Sequence, residues 1–128
     1  MRYVSTRGAF ADTPQPFCAI LLEGLAPDGG LAVPQEYPRF TAAELDALRP
    51  LGYRDLAFAV LSCFIDDIAA SELKRIIDAT YTRDIFGSDE ITPLLTLEPG
   101  LHLLRVSNGP TLAFKDIALQ LLGNLFEH

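Results

Sequence analysis

Near its carboxyl end the chain reads Ser107-Asn108-Gly109-Pro110-Thr111-Leu112-Ala113-Phe114-Lys115-Asp116. The Gly-Pro pair predicts a turn. Thr111 is a good N-cap residue, because its hydroxyl can accept a hydrogen bond from an unpaired backbone N–H. The sequence therefore predicts a helix that begins at Thr111 and carries Lys115 in its first turn.

The predicted helix is apolar on most of its circumference. Its apolar residues follow helical spacing and form more than one stripe: Phe114, Ile117, Ala118, Leu119, Leu121, Leu122, Leu125 and Phe126. Such a helix belongs inside a larger core, and Gly123 within it indicates close approach of a neighbouring element. We expect helix 114–126 to need packing partners beyond those that the 128 residues supply.

Lys115 has two interpretations. The partial positive charge of a helix N-terminus opposes protonation of a nearby ammonium, which suits a neutral amine, although Asp116 in the same turn offsets this effect. On spacing alone, a solvated surface lysine is the more common interpretation. A strand, a loop and a helix with a lysine at its start also form the geometry in which α/β enzymes offer a group to a ligand.

Composition and charge exclude some classes of partner. The chain has 128 residues, 49% of them hydrophobic, which fits one domain with a fragment of a second. A net charge of −7 with scattered basic residues argues against nucleic acid as a partner. No signal sequence or apolar run of about 18 residues is present, so we expect a cytoplasmic protein with no membrane partner.

Metal and thiol chemistry are not indicated. The two histidines, His102 and His128, lack the spacing of zinc ligands, so no metal site is predicted. Cys18 and Cys63 lie in apolar surroundings without ligand spacing and are interpreted as free thiols.

The rest of the chain is mainly helical with short strands. Strands are predicted at residues 2–6 and 31–33, and helices at 16–25, 42–48, 53–65 and from 71 to about 81. In the last of these helices Leu73, Ile76, Ile77 and Tyr81 fall on one face, which is predicted to point inward. Thr41 and Glu44 form a predicted capping box. A loop at residues 86–89 is followed by a predicted hairpin of strands at 94–97 and 101–106.

Six segments together resemble the threonine synthases, a family of pyridoxal-phosphate enzymes of fold type II. In chain order they are residues 3–8 (YVSTRG), 23–31 (EGLAPDGGL, with Pro34), 55–59 (DLAFA), 88–94 (SDEITPL), 108–116 (NGPTLAFKD) and 119–127 (LQLLGNLFE). The resemblance spans the whole chain, which would correspond to about the first quarter of a family member.

This resemblance implies an α/β fold in two parts. Residues 1–87 would form the mixed α+β, mainly helical amino-terminal domain of a threonine synthase. Residues 88–128 would form the start of the pyridoxal-phosphate-dependent catalytic domain, up to its first strand-loop-helix.

The resemblance also implies the chemistry. Lys115 would bind pyridoxal 5'-phosphate covalently and move protons while O-phospho-L-homoserine and water become L-threonine and phosphate, a lyase reaction of threonine biosynthesis. A primary amine can form the imine and then act as a base when released. Supporting roles fall to Thr111, which would cap the helix that positions Lys115, to Asp116, and to Asn108, which stands where family members commonly carry histidine.

The family's glycine-rich phosphate loop and most of its substrate-binding groups lie downstream of residue 128. We therefore expect the isolated chain to be inactive, and the remainder of the catalytic domain to cover helix 114–126. The alternative is a stand-alone, non-catalytic domain that binds a protein partner through this helix. A reading frame that continues past His128 would favour the enzyme, and a stop codon there would favour the binding domain.

Overall fold

The computed structural model describes residues 1–128 and contains short strands and helices in a mixed α+β fold, as predicted. The strands are β1 (Tyr3–Ser5), β2 (Ala32–Pro34), β3 (Leu94–Glu98) and β4 (Leu101–Leu104). The helices are α1 (Phe17–Glu23), α2 (Ala42–Leu48), α3 (Tyr53–Leu61), α4 (Ala70–Thr80), α5 (Arg83–Phe86) and α6 (Asp116–Glu127). None of the helices has the length and hydropathy needed to span a bilayer.

The first compact unit comprises Met1–Pro50 and Phe58–Leu73. Strand β1 pairs antiparallel with β2, with Tyr3 opposite Pro34. The Tyr3 ring is buried, and its hydroxyl donates a hydrogen bond of 2.7 Å to the carbonyl of Phe64. The predicted capping box of α2 is confirmed, because Thr41 and Glu44 bond reciprocally.

Asp28 organises the turn between α1 and β2. Its Oδ1 accepts hydrogen bonds from the Ser5 hydroxyl at 2.7 Å and the Gly30 N–H at 2.9 Å, and its Oδ2 accepts the Ala9 N–H at 2.8 Å. A Cβ on Gly30 would lie 2.1 Å from the Ser5 Oγ, so only glycine fits there. The bonds from Ala9 and Ser5 hold the pKa of the Asp28 carboxyl below its usual range.

The second compact unit comprises Leu51–Ala57 and Lys74–His128. Its apolar core contains Ile76, Ile77, Tyr81, Phe86, Ile91, Leu121 and Leu125. The inward-facing residues predicted for α4 are therefore confirmed. Strands β3 and β4 form the predicted antiparallel hairpin, whose leucines are exposed on both faces at 48% to 58%.

Two predicted helix boundaries are wrong by more than two residues, and one helix was not predicted. Helix α3 ends at Leu61 rather than at residue 65, and the short helix α5 occupies a segment for which no helix was predicted. Helix α6 begins at Asp116 rather than at Thr111, for a reason given below. The compact units do not divide at residue 87, and the division into enzyme domains at that residue stays a prediction.

The Asp28 network predicts a pH dependence of stability. Asp28→Asn removes a carboxylate whose folded-state pKa lies below its unfolded value of about 3.9. Such a group stabilises the fold above the unfolded pKa, and this contribution is lost as pH falls through the folded pKa. The difference in free energy of unfolding between wild type and Asp28→Asn should therefore be largest near neutral pH and shrink in acid.

Urea unfolding between neutral pH and about pH 2 measures this difference. Asp12→Asn, at an exposed position of the same unit, controls for the loss of one negative charge. A difference between wild type and Asp28→Asn that stays constant over the whole pH range would contradict the assignment.

Candidate functional site

Lys115 stands directly before α6, at the N-cap position, with helical backbone angles of φ −63° and ψ −23°. Its side chain lines an apolar groove of about 420 Å³. The other lining residues are all apolar: Val106, Phe114, Ile117, Ala118 and Leu119. The surface of the groove is therefore apolar throughout.

The chain's second lysine has a different environment. Lys74 Nζ lies 2.5 Å from Asp78 Oδ1 and 3.2 Å from Asp55 Oδ1. The hydrogen bond to Asp78 raises the pKa of Lys74, which keeps that amine protonated. The Lys115 amine forms no ion pair with a carboxylate of the chain, so of the two lysines it is the one available to a ligand.

The Asp116 side chain turns back onto the loop that precedes its own helix. Only 1% of Asp116 is exposed. Its Oδ2 accepts the backbone N–H of Thr111 at 2.8 Å, and its Oδ1 accepts the Thr111 hydroxyl at 2.9 Å. The predicted N-cap role of Thr111 is therefore wrong, because both of its donors bond to Asp116 and the chain enters the helix only at that residue.

Gly109 provides the space for this arrangement. A Cβ on Gly109 would lie 2.5 Å from the Asp116 Cβ, closer than carbon atoms can approach. Leu112 donates its N–H to the Gly109 carbonyl at 3.0 Å and adopts a left-handed backbone with φ 59°. A branched residue in this region is strained, so the surrounding contacts must hold the loop in place.

Asn108 fixes the other end of the loop. Its Nδ2 donates to the carbonyl of Phe86 at 2.6 Å and to the carbonyl of Ile91 at 2.9 Å. Ile91 is buried and has φ 60°, an unusual backbone conformation for a β-branched residue. Asn108 thus joins the start of the loop to a strained segment of the core.

The structure brings Thr111 and Asp116 into direct contact and directs the Asn108 side chain to other partners. Lys115 lines the groove and its side chain makes no hydrogen bond with those three residues. Sequence reasoning missed the role of Gly109, since its only signal was the Gly-Pro pair, which also fits an ordinary turn. No group of His, Cys, Asp and Glu side chains in the chain could hold a metal ion.

Comparison with known proteins decides the family. Residues 2–81 match the family model described as Threonine synthase N terminus. The chain belongs to the threonine synthase family. The match covers the front part of the chain, and relatives extend the similarity through Lys115.

Individual threonine synthases match the chain over its whole length. The threonine synthase of Methylobacillus glycogenes is 53% identical over 135 residues, which cover 100% of this chain and 28% of that protein. The crystal structure of PLP-bound threonine synthase from Brucella melitensis has a TM-score of 0.90 and 43% identity, over 99% of this chain and 27% of that one. Threonine synthase from Escherichia coli has a TM-score of 0.81 and 26% identity, over 100% of this chain and 28% of that one.

The chain thus spans little more than a quarter of the length of these threonine synthases. It corresponds to their amino-terminal part, and the comparisons give no support to the alternative of a stand-alone binding domain.

Two glycine substitutions test the loop. Gly109→Ala should lower the free energy of unfolding by about 1–3 kcal/mol, because the added Cβ overlaps Asp116 in a packed site. Gly123→Ala is the matched control, since a Cβ there meets no atom of the 128 residues within 4 Å. That change should stabilise the chain by about 0.5–1 kcal/mol, because alanine is the better helix former.

Urea unfolding of both variants gives the comparison. Equal stability of the Gly109→Ala and wild-type chains would show that the loop tolerates a side chain and would contradict the described packing.

Proposed function

We propose that this chain is the amino-terminal part of a pyridoxal-phosphate-dependent threonine synthase and that Lys115 is its cofactor lysine. In this proposal, residues 1–87 form the amino-terminal domain and residues 88–128 begin the catalytic domain. The reaction converts O-phospho-L-homoserine and water into L-threonine and phosphate. The match of residues 2–81 to the threonine synthase N terminus supports the first of these two parts.

One observation carries the proposal. Lys115 lines an apolar groove and forms no ion pair, in a chain whose fold follows that of a PLP-bound threonine synthase with a TM-score of 0.90. The amine fits covalent attachment of an aldehyde, and the apolar groove fits the face of an aromatic ring. The groove offers no polar lining for a phosphate, so we assign the phosphate-binding groups to the part of the relatives that this chain does not cover.

The proposed chemistry needs the Lys115 amine twice, first to bind the cofactor and then to act as a base. When bound, the cofactor supplies an electron sink for negative charge on the substrate carbons. Lys115 holds the cofactor through Nζ, and once that atom is released it is a base that carries protons between substrate carbons. Phosphate leaves from the γ carbon and water adds at the β carbon, which gives threonine.

The three neighbouring residues have positioning roles in this proposal. Asp116 and Thr111 close the loop before α6, and their two hydrogen bonds fix the backbone from which Lys115 projects. Asn108 holds the start of the loop through the Phe86 and Ile91 carbonyls. Both of its amide hydrogens bond to these carbonyls, so Asn108 fixes the backbone of the loop.

The two lysines allow a matched test in a full-length threonine synthase that carries these 128 residues at its amino end. Lys115→Arg should abolish the absorbance of cofactor that is covalently linked to lysine and lower phosphate release by about 10²- to 10⁴-fold or more, since the base is lost. Lys74→Arg keeps a cation beside Asp55 and Asp78 and should leave both properties near the wild-type level. Borohydride reduction and peptide mass spectrometry should find the pyridoxyl group on Lys115.

A pyridoxyl group on Lys74, or a borohydride-reducible lysine adduct that persists in Lys115→Arg, would refute the assignment. The 128-residue chain alone is a further control. We expect it to lose the cofactor on gel filtration, because the phosphate-binding groups are assigned elsewhere.

A further inference from the structure

A tyrosine distant in sequence holds the first turn of α6. The Tyr81 hydroxyl donates a hydrogen bond of 2.9 Å to the carbonyl of Ile117, across 36 residues of sequence. The helical hydrogen bond uses one lone pair of that carbonyl, and the Tyr81 hydroxyl uses the other. Ile117 follows Lys115 by two residues, so this bond acts on the turn next to the proposed cofactor lysine.

The Tyr81 side chain has little freedom to move. It is 5% exposed, and its ring lies edge-on to that of Tyr53 with centroids 5.0 Å apart. The Phe86 ring contacts it from another direction, with centroids 5.9 Å apart. Burial raises the pKa of Tyr81, so its hydroxyl stays protonated and remains a donor at neutral pH.

A second hydrogen bond holds the same helix further along. Asn124 Nδ2 donates to the hydroxyl of Thr80 at 2.7 Å, and that hydroxyl donates to the Ile76 carbonyl at 2.8 Å. Thr80 and Tyr81 are consecutive, and their partners Ile117 and Asn124 are seven residues apart on one face of α6. The two bonds are about 10 Å apart along the axis, so one holds the first turn of the helix and the other holds its distant end.

We propose that Tyr81 is a positioning residue for Lys115, acting through the Ile117 carbonyl. This inference rests on the proposed role of Lys115 as the cofactor lysine. Lys115 is about 3 Å along the helix axis from Ile117 but about 13 Å from Asn124. Loss of the Tyr81 bond frees the turn beside the reacting amine, whereas loss of the Asn124 bond frees the distant end.

Substitution of Tyr81 by phenylalanine tests this role, because it removes the hydroxyl and keeps the packed ring. In the full-length threonine synthase that carries these residues, Tyr81→Phe should lower kcat and weaken cofactor binding, each by about 10-fold. The KM for the substrate should stay within about 2-fold, because the binding groups are untouched. The pH midpoint of the change in the bound cofactor's absorbance should also shift, because Lys115 is displaced.

Two control variants separate positioning from stability. Tyr53→Phe removes a hydroxyl from the same aromatic cluster, and Asn124→Ala removes the bond that holds the distant end of α6. Asn124→Ala should lower the thermal midpoint about as much as Tyr81→Phe does. Both control variants should leave kcat and the cofactor titration at wild-type values.

Equal effects of Tyr81→Phe and Asn124→Ala on kcat and on the titration would overturn the proposal, as would a Tyr81→Phe enzyme identical to wild type. The Lys115→Arg variant in the same series identifies which proposal has failed. If Lys115→Arg still gives a borohydride-reducible lysine adduct, both proposals fail. If that adduct is lost there but Tyr81→Phe has no effect, only the inference about Tyr81 fails.

Discussion

The buried carboxylate of Asp116 holds the loop that carries Lys115. Burial of a carboxylate costs several kcal/mol unless its oxygens are paired. Here both oxygens accept hydrogen bonds from Thr111, and the N-terminal turn of α6 places favourable helix charge beside them. A left-handed residue such as Leu112 costs about 1–2 kcal/mol, and two charge-assisted bonds of about 1.5–3 kcal/mol each exceed that cost. The strained loop therefore persists because Asp116 closes it.

Contacts on both sides of Lys115 determine its position. The side chains of Asn108 and Asp116 hold the loop that precedes Lys115, and Gly109 leaves room for the Asp116 side chain. After it, the Tyr81 hydroxyl holds the first turn of α6. Between these contacts the lysine side chain itself makes no ion pair. The backbone is fixed and the amine is left available, which is the combination that a covalently bound cofactor requires.

Local patterns predicted those parts of the fold that depend on nearby residues. The capping box of Thr41 and Glu44 and the buried face of α4 follow from spacings of three and four residues, and both are confirmed. The start of α6 was misplaced because Thr111 bonds to a side chain five residues ahead instead of capping the helix. The partners of Asn108 and Tyr81 lie 17 to 36 residues away, and no local pattern indicates them. The candidate lysine came from the family resemblance, since its spacing alone favoured an ordinary surface residue.

Amide hydrogen exchange at Thr111, measured by NMR on the 128-residue chain, tests most directly whether Asp116 holds the loop. The Thr111 N–H should exchange slowly in the wild-type chain and rapidly in Asp116→Asn, whose amide can turn a donor toward it. The N–H of Ala118, which bonds to the Lys115 carbonyl, reports whether α6 remains folded. Rapid exchange at Thr111 in a wild-type chain whose Ala118 is protected would contradict the account.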